Sequence, residues 1–162
     1  MVEILKGYIP GSIGRVAELH GIYYAKHWNF GAFFEAKVAI GLAEFINRYN
    51  KEQDRFWIAV EGGRIEGSIA IDGEQAKQKG VHLRWFIVSD ALRGQGVGRQ
   101  LLKLALEFCQ NKGYQRIYLW TFEGLGSARH LYEAMGFKLV EQRRGNQWGI
   151  EVNEQQFELQ VV

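Results

Sequence analysis

The sequence is poor in cysteine and proline, and it has no marked excess of charge of either sign. Its single cysteine, Cys109, lies inside a helical pattern, so a disulfide framework is excluded and a reducing compartment is indicated. Among 162 residues, 20 lysines and arginines stand against 18 aspartates and glutamates, which leaves a net charge of +2. Chains that bind nucleic acid are usually far more basic, so no nucleic-acid partner is indicated.

Long apolar runs are also absent from the sequence. No run approaches the roughly 20 apolar residues that cross a bilayer, and residues 1–8 lack the basic and then apolar segments of a signal peptide. We therefore expect a cytoplasmic protein with no membrane partner. The length favours a single domain over residues 1–162.

The spacing of apolar residues predicts an α/β (α+β) fold. Alternation and short apolar runs predict strands at Val2–Tyr8, Phe56–Val60, Ile65–Ile71, Val81–Val88, Arg116–Phe122, Phe137–Gln142 and Gln156–Val161. Helical spacing follows Ser12 and Gly31, and it recurs over Val97–Lys112 and Ala128–Met135. The order β-α-α-β-β-β-α-β-α-β-β contains a central meander, so we expect a mixed, mostly antiparallel central sheet with helices on both faces.

A glycine-rich run, Arg93-Gly94-Gln95-Gly96-Val97-Gly98-Arg99, lies between the predicted strand Val81–Val88 and the predicted helix Val97–Lys112. Glycines let a backbone approach an anion closely, because they have no Cβ. The unpaired N–H groups of a helix's first turn point at such an anion, and the helix dipole favours it. With Arg93 and Arg99 on either side, this run predicts a phosphate-binding turn.

Three phosphate-binding patterns compete for this turn. A P-loop requires Gly-Lys-Ser/Thr, but here Gly98 is followed by Arg99. The dinucleotide fingerprint Gly-x-Gly-x-x-Gly matches Gly94 and Gly96, but Arg99 stands where its third glycine should be. The pattern Arg-x-x-Gly-x-Gly is the one that this sequence fills, with Arg93, Gly96 and Gly98.

Around this turn, Leu83–Gly136 resembles the core of the GCN5-related N-acetyltransferase superfamily. The Arg-x-x-Gly-x-Gly turn and its helix form one signature of that superfamily. A second signature, Ala-x-x-x-Tyr-x-x-x-Gly-Phe, is similar to the run Ala128-Arg129-His130-Leu131-Tyr132-Glu133-Ala134-Met135-Gly136-Phe137. The chain is also similar to the acetyltransferase portion that is fused to MarR-type regulators.

The resemblance implies acetyl-CoA as co-substrate, with no metal. In this family two parallel strands splay apart, and the pantetheine amides bond to the exposed edge of one strand, which Phe86, Ile87 and Val88 occupy here. The pyrophosphate is held by the backbone N–H groups of Gln95 through Arg99. The residues implied around it are Arg93, Gly94, Gln95, Gly96, Val97, Gly98 and Arg99. A homodimer is the family-level expectation.

The implied reaction is transfer of the acetyl group to a primary amine, by direct attack through a tetrahedral intermediate. Tyr132 stands where the family's tyrosine donates a proton to the departing sulfur. A phenol with a pKa near ~10 is protonated at neutral pH and suits a general acid. The general base stays open between a chain of water molecules and four side chains: His27, Glu35, His82 and Glu123.

The expected acceptor is a small-molecule or amino-acid-like amine, and the loop Trp28-Asn29-Phe30-Gly31 with Trp148 supplies rings for its pocket. The family's ribosomal-protein N-terminal acetylases carry an asparagine and a glutamate where this sequence has Leu125 and Trp120, which argues against protein N termini as acceptors. Two alternatives stay open. One is a protein lysine acetyltransferase, and the other is a non-catalytic acyl-CoA-binding or regulatory module.

Overall fold

The computed structural model describes residues 1–161, which form strands and helices in the predicted order. The elements are β1 (Glu3–Lys6), α1 (Ser12–Trp28), α2 (Ala32–Asn47), β2 (Arg55–Glu61), β3 (Arg64–Asp72), β4 (Val81–Val88), α3 (Val97–Lys112), β5 (Arg116–Phe122), α4 (Gly126–Ala134), β6 (Lys138–Gly145) and β7 (Val152–Gln160). A short 3-10 turn at Asp90–Leu92 connects β4 to the glycine turn.

The hairpin of the last two strands is longer than the sequence predicts. Strand β6 continues past Gln142 to Gly145, and β7 begins at Val152 instead of Gln156. The added residues are mainly polar, and those of β6 are largely exposed. Apolar alternation marks only strands that bury one face, so it could not reveal this extension.

One seven-stranded sheet has the order β1-β2-β3-β4-β5-β7-β6, and β4 with β5 is its parallel pair. This pair is joined only at Val81↔Ile117 and His82↔Tyr118. Beyond His82 the two strands part, which confirms the expected splay in a mostly antiparallel sheet. The splay leaves an opening near the middle of the sheet.

Helices α3 and α4 cover one face of the sheet, and α1 and α2 cover the other. Fully buried side chains fill each layer: Ile69, Leu101, Leu102, Ile117 and Phe157 on the α3 side, and Val16, Leu42, Phe45, Phe56 and Ile58 on the α1 side. Cys109 of α3 is also fully buried, and burial raises the pKa of its thiol to about 12. This cysteine therefore contributes packing rather than chemistry.

Strand β4 contains a β-bulge at Trp85. The register of β4 with β3 shifts between Ser68 and Ala70, and Trp85 has a φ of 47°, in the left-handed region. The Ser68 hydroxyl donates a hydrogen bond to the Trp85 carbonyl at 2.7 Å. Because a bulge interrupts the alternation of side chains, Arg84 and Trp85 both lie beneath α2.

Candidate active site

The glycine turn opens α3 as the sequence predicts. Gly94 and Gly96 have φ values of 79° and 71°, and a Cβ at either position would project into open space. The amide of Gln100 donates to the Gly96 carbonyl, so the amides of residues 97–99 precede the first hydrogen bonds of the helix. These free donors lie at the positive end of the helix dipole and suit an anion.

The polar residues of the glycine turn, Arg93, Gln95 and Arg99, differ in their contacts and in whether they line a cavity. The amide of Gln95 donates to the Leu92 carbonyl at 3.3 Å, so this donor already has a partner in the structure. Arg93 forms a 2.5 Å ion pair with Asp90, and its guanidinium lowers the pKa of that carboxyl. Arg93 lines the cavity described next, whereas Gln95 and Arg99 do not.

A cavity of about 690 Å³, here called the outer cleft, runs from the glycine turn between β4, α4 and the end of α1. Eight of the predicted cofactor-binding residues line it: Phe86, Ile87, Val88, Arg93, Gly94, Gly96, Val97 and Gly98. Because the β4–β5 ladder ends at His82, the edge of β4 at residues 86–88 faces this cleft instead of a neighbouring strand. Such an edge can bond to the amides of an extended ligand.

A smaller cavity of about 200 Å³, here called the inner pocket, adjoins the outer cleft beneath α2. Tyr24, Phe86, Leu125 and Ala128 line both cavities and so mark the passage between them. The walls of the inner pocket are mainly aromatic: Tyr24, Phe34, Trp85, Phe86, Trp120, Phe122, Tyr132 and Trp148. The inner pocket has less than a third of the volume of the outer cleft, so it suits a small molecule.

Tyr132, the predicted general acid, lines the inner pocket near this passage. Its ring lies 6.0 Å from the ring of Phe86 and is also held by Phe137 and Phe157. The residue is 6% exposed, and burial raises the pKa of its phenol above the usual range. The hydroxyl therefore stays protonated at neutral pH and can donate.

The four candidate bases differ in which cavity they line. Only His82 lines the inner pocket, and burial together with the charge of Arg84 lowers its pKa to about 3. His27 lines the outer cleft, whereas Glu35 and Glu123 line neither cavity. His82 is therefore a neutral hydrogen-bonding group within the pocket.

A second histidine, His20 of α1, also lines the inner pocket. Its Nδ1 lies 2.8 Å from the Val16 carbonyl, and since a carbonyl can only accept, Nδ1 carries the proton. Burial lowers the pKa of His20 to about 4, so the neutral ring keeps Nε2 as an acceptor. The sequence offers one signal for it, a polar residue four positions after Val16 on a buried helical stripe.

The connection between β6 and β7 forms the outer wall of the inner pocket. Trp148 lines the pocket, and the Lys37 ammonium of α2 donates to the Gln147 carbonyl at 2.7 Å. Gly149 passes so close to Phe33 that a Cβ would lie 2.8 Å from the ring. The wall is thus fastened to α2 on both sides of Trp148.

The aromatic side chains of the predicted loop at the end of α1 lie in two different environments. Trp28 lines the outer cleft, while Phe30 is 3% exposed in a cluster with Phe34 and Phe122. Asn29 has a φ of 60° and ends α1. Of the rings that the sequence proposed for the acceptor, Trp148 is the one that lines the inner pocket.

Comparison with known proteins agrees with this arrangement. The family model of the acetyltransferase (GNAT) family matches residues 13–137. The chain belongs to the GNAT family. N-acetyltransferase family 8 member 2 of Rattus norvegicus is 32% identical over 100 residues, which cover 60% of this chain and 44% of the relative. N-acetylaspartate synthetase of Xenopus tropicalis is 36% identical over 85 residues, 52% of this chain and 31% of the relative.

Many solved protein structures have the same fold as this GNAT chain. One of them is a protein of Salmonella typhimurium that was solved with its cofactor acetyl-CoA. Its TM-score is 0.75 at 14% sequence identity, and the match covers 99% of this chain and 95% of the Salmonella chain. The chain spans less than half the length of the two relatives named above. Within residues 1–161, no helix combines the length and apolar character needed to cross a membrane. The likeness to MarR fusions, the homodimer and the cytoplasmic location stay predictions.

Proposed function

We propose that this GNAT chain transfers the acetyl group of acetyl-CoA to the primary amine of a small, amino-acid-like acceptor. One observation carries the proposal: the phosphate-suited glycine turn opens into a cleft that continues into a smaller pocket, and Tyr132 lies near the passage between them. A relative is named N-acetylaspartate synthetase, a name that specifies an acetylated amino acid. That name supports the choice of an amino-acid-like acceptor.

The residues of the outer cleft fit acetyl-CoA. At Gly94 and Gly96 a Cβ would occupy the open space above the turn, and the amides of residues 97–99 point donors toward it. The turn would hold the pyrophosphate, and the free edge of β4 at residues 86–88 would bond to the pantetheine amides. When bound, acetyl-CoA supplies an activated acetyl group as a thioester.

The side chains of the inner pocket supply the proton chemistry. Tyr132 holds its proton at neutral pH and donates it to the sulfur that leaves. An ammonium must lose a proton before it can attack, because its usual pKa is near ~10, and water takes up this proton. The second proton that the nitrogen loses as the amide forms restores the Tyr132 phenol. His20 and His82 are neutral, so each offers a ring nitrogen that can accept a hydrogen bond from the uncharged amine.

The small size of the inner pocket and the loop at its outer wall favour a small acceptor over a protein lysine. Its volume is about 200 Å³, and the β6–β7 connection is fastened over it through Lys37 and Gln147. A polypeptide segment would have to displace this wall to bring a side chain inside.

Replacing Tyr132, the proposed general acid, tests whether the protein is an acetyltransferase or a non-catalytic acyl-CoA-binding module. We expect Tyr132→Phe to lower kcat by about 100-fold or more, since general acid catalysis is typically worth that much. The affinity for acetyl-CoA should change by less than about threefold, because Tyr132 lies in the inner pocket and not at the turn. The measurement is release of free thiol from acetyl-CoA with a panel of amines, together with calorimetric binding.

Tyr114→Phe is the matched control, since the Tyr114 hydroxyl donates to the Gln53 carbonyl, outside both cavities. It should keep the full rate. A Tyr132→Phe protein that acetylates its acceptor at the wild-type rate would refute the acid role. A wild-type protein that binds acetyl-CoA but acetylates no amine would favour the binding module.

A further inference from the structure

Among residues 1–161 no carboxylate lines the inner pocket, and Asp72, which pairs with Arg84, lies outside it. The cationic side chains of the pocket are Lys37 and Arg84, and its two histidines are neutral. A polyamine or another multiply charged cation would be repelled here, whereas an acceptor with an anionic group would be attracted. Charge therefore discriminates among small amines in this pocket.

Arg84 is fixed in position from three sides. Its guanidinium lies over the ring of Trp85, 4.1 Å from the ring centroid, and the bulge at Trp85 places the two side chains together. One nitrogen donates to Asp72 Oδ2 at 3.1 Å. Helix α2 passes closely at Gly41, where a Cβ would lie 3.2 Å from another Arg84 nitrogen. A guanidinium held in this way loses little freedom when it binds a ligand.

Asp72 leaves most of the Arg84 donors free. The same carboxylate oxygen also accepts a 2.6 Å hydrogen bond from Arg48, so it serves two guanidiniums. Asp72, Arg48 and Glu74 line a separate cavity that Arg84 also lines, and none of these three residues lines the inner pocket. Because a guanidinium has five N–H donors, several remain for a ligand in that pocket.

We propose that the acceptor amine also bears a carboxylate and that Arg84 binds this carboxylate. The proposal rests on the proposed acetyl transfer and narrows its acceptor class. The donors of arginine form a fork that matches the two oxygens of a carboxylate, with charge-assisted hydrogen bonds. Lys37 adds a second positive charge at the outer wall. Arg84 is then the residue that sets specificity for the acceptor.

Matched pairs of acceptors test this directly. Tyrosine is compared with tyramine, histidine with histamine and lysine with cadaverine, so that each pair differs only in the carboxylate. The readout is acetyl-CoA-dependent release of thiol by the full chain. We expect kcat/KM to be about 10- to 100-fold higher for the carboxylate member, as is usual for a charge-assisted contact.

Three arginine variants separate carboxylate binding from loss of structure. Arg84→Gln should bring the ratio of kcat/KM within each pair close to one, chiefly by raising KM for the carboxylate member, and it should leave acetyl-CoA affinity unchanged. Arg48→Gln removes the other guanidinium on Asp72 without touching the inner pocket, so the ratio should stay at its wild-type value. Arg84→Lys should restore part of the preference.

Each result of these experiments either supports or overturns the carboxylate proposal. A preference that disappears only in Arg84→Gln supports the proposal. Equal or better turnover of the decarboxylated amines, or a preference that survives Arg84→Gln, overturns it while leaving acetyl transfer intact. If acetyl-CoA binds and no member of any pair is acetylated, the proposed small-amine acetylation itself fails, and the carboxylate proposal fails with it.

Discussion

For single residues, burial shapes the chemistry of this site more than neighbouring charge does. Desolvation is the largest cause of the raised pKa of Tyr132 and of the lowered pKa values of His20 and His82. Burial favours the neutral form of any titratable group. The inner pocket therefore combines a protonated phenol with two uncharged imidazoles, which is a suitable set for handling an amine and a thiol near neutral pH.

The buried histidines predict how stability depends on pH. In the unfolded chain His20 titrates near its ordinary value of 6.5, whereas in the folded protein its pKa is about 4. Between these values the unfolded state binds the proton and the folded state does not, so the free energy of unfolding falls as the pH is lowered through this window. The loss attributable to His20 by pH ~4.5 is on the order of 2 kcal/mol.

Urea unfolding at pH ~7 and pH ~4.5 measures this loss. His20→Gln should lose less stability than the wild type over that interval, because glutamine does not titrate. His130→Gln is the control, since His130 is exposed on α4, and it should follow the wild type. If all three proteins lose stability equally, His20 is not the group responsible.

Among individual residues, the sequence indicates the glycine turn, Tyr132, His82 and Trp148, but not His20 or Arg84 of the inner pocket. The turn and the tyrosine belong to local patterns with fixed spacing. His20 and Arg84 come to the inner pocket from elements that are far apart in sequence, and a bulge places Trp85 on the same face of the sheet as Arg84. A bulge depends on how two strands pair, so the residues of one strand do not reveal it.

The order of strands and helices along the chain is easier to predict from the sequence than the ends of strands or the positions of bulges. Glycine turns, apolar stripes and alternation each act over a few residues, and together they predicted every strand and helix of residues 1–161 in sequence. The extension of β6 and β7 to Gly145 and Val152 depends on cross-strand pairing between polar residues. Local hydrophobicity carries no information about such pairing.

The β6–β7 connection is the element that we expect to control the acceptor rather than the cofactor. Trp148 lines the inner pocket but not the outer cleft, and its ring lies 5.6 Å from the ring of Phe122. We expect Trp148→Ala to raise KM for the acceptor by about 10-fold or more, since losing an aromatic ring that contacts a ligand typically costs that much. Affinity for acetyl-CoA should stay within about twofold of the wild type.

Steady-state kinetics with varied acceptor, and calorimetry with acetyl-CoA, check this prediction. An unchanged acceptor KM would mean that the connection is not part of the acceptor site. A loss of acetyl-CoA affinity as large as the loss for the acceptor would instead point to a general loss of structure.

In the whole molecule, the site arises where the sheet is least continuous. Strands β1 to β4 form one part of the sheet and β5 to β7 the other, and the two parts are joined by the short ladder that ends at His82. Helix α3 begins at the opening between them, with its glycine turn at the mouth of the outer cleft. The same splay that leaves the edge of β4 unpaired in the outer cleft also gives the inner pocket its space.

Helix α3 offers a matched pair of glycines for the decisive measurement. Gly96 before the helix and Gly113 after it have nearly the same left-handed conformation, with φ values of 71° and 76°. A Cβ would meet nothing within 4 Å at either position, so aspartate causes comparable backbone strain at both. Only Gly96 lines the outer cleft.

The measurement is calorimetric titration of acetyl-CoA into the wild type, Gly96→Asp and Gly113→Asp, with NAD as a control ligand. We predict that the wild type and Gly113→Asp bind acetyl-CoA equally and do not bind NAD. Gly96→Asp should bind acetyl-CoA about 100-fold more weakly or worse, because its carboxylate would lie where the pyrophosphate is held. A wild type that does not bind acetyl-CoA, or a Gly96→Asp variant that binds it normally, would contradict the placement of acetyl-CoA at this turn.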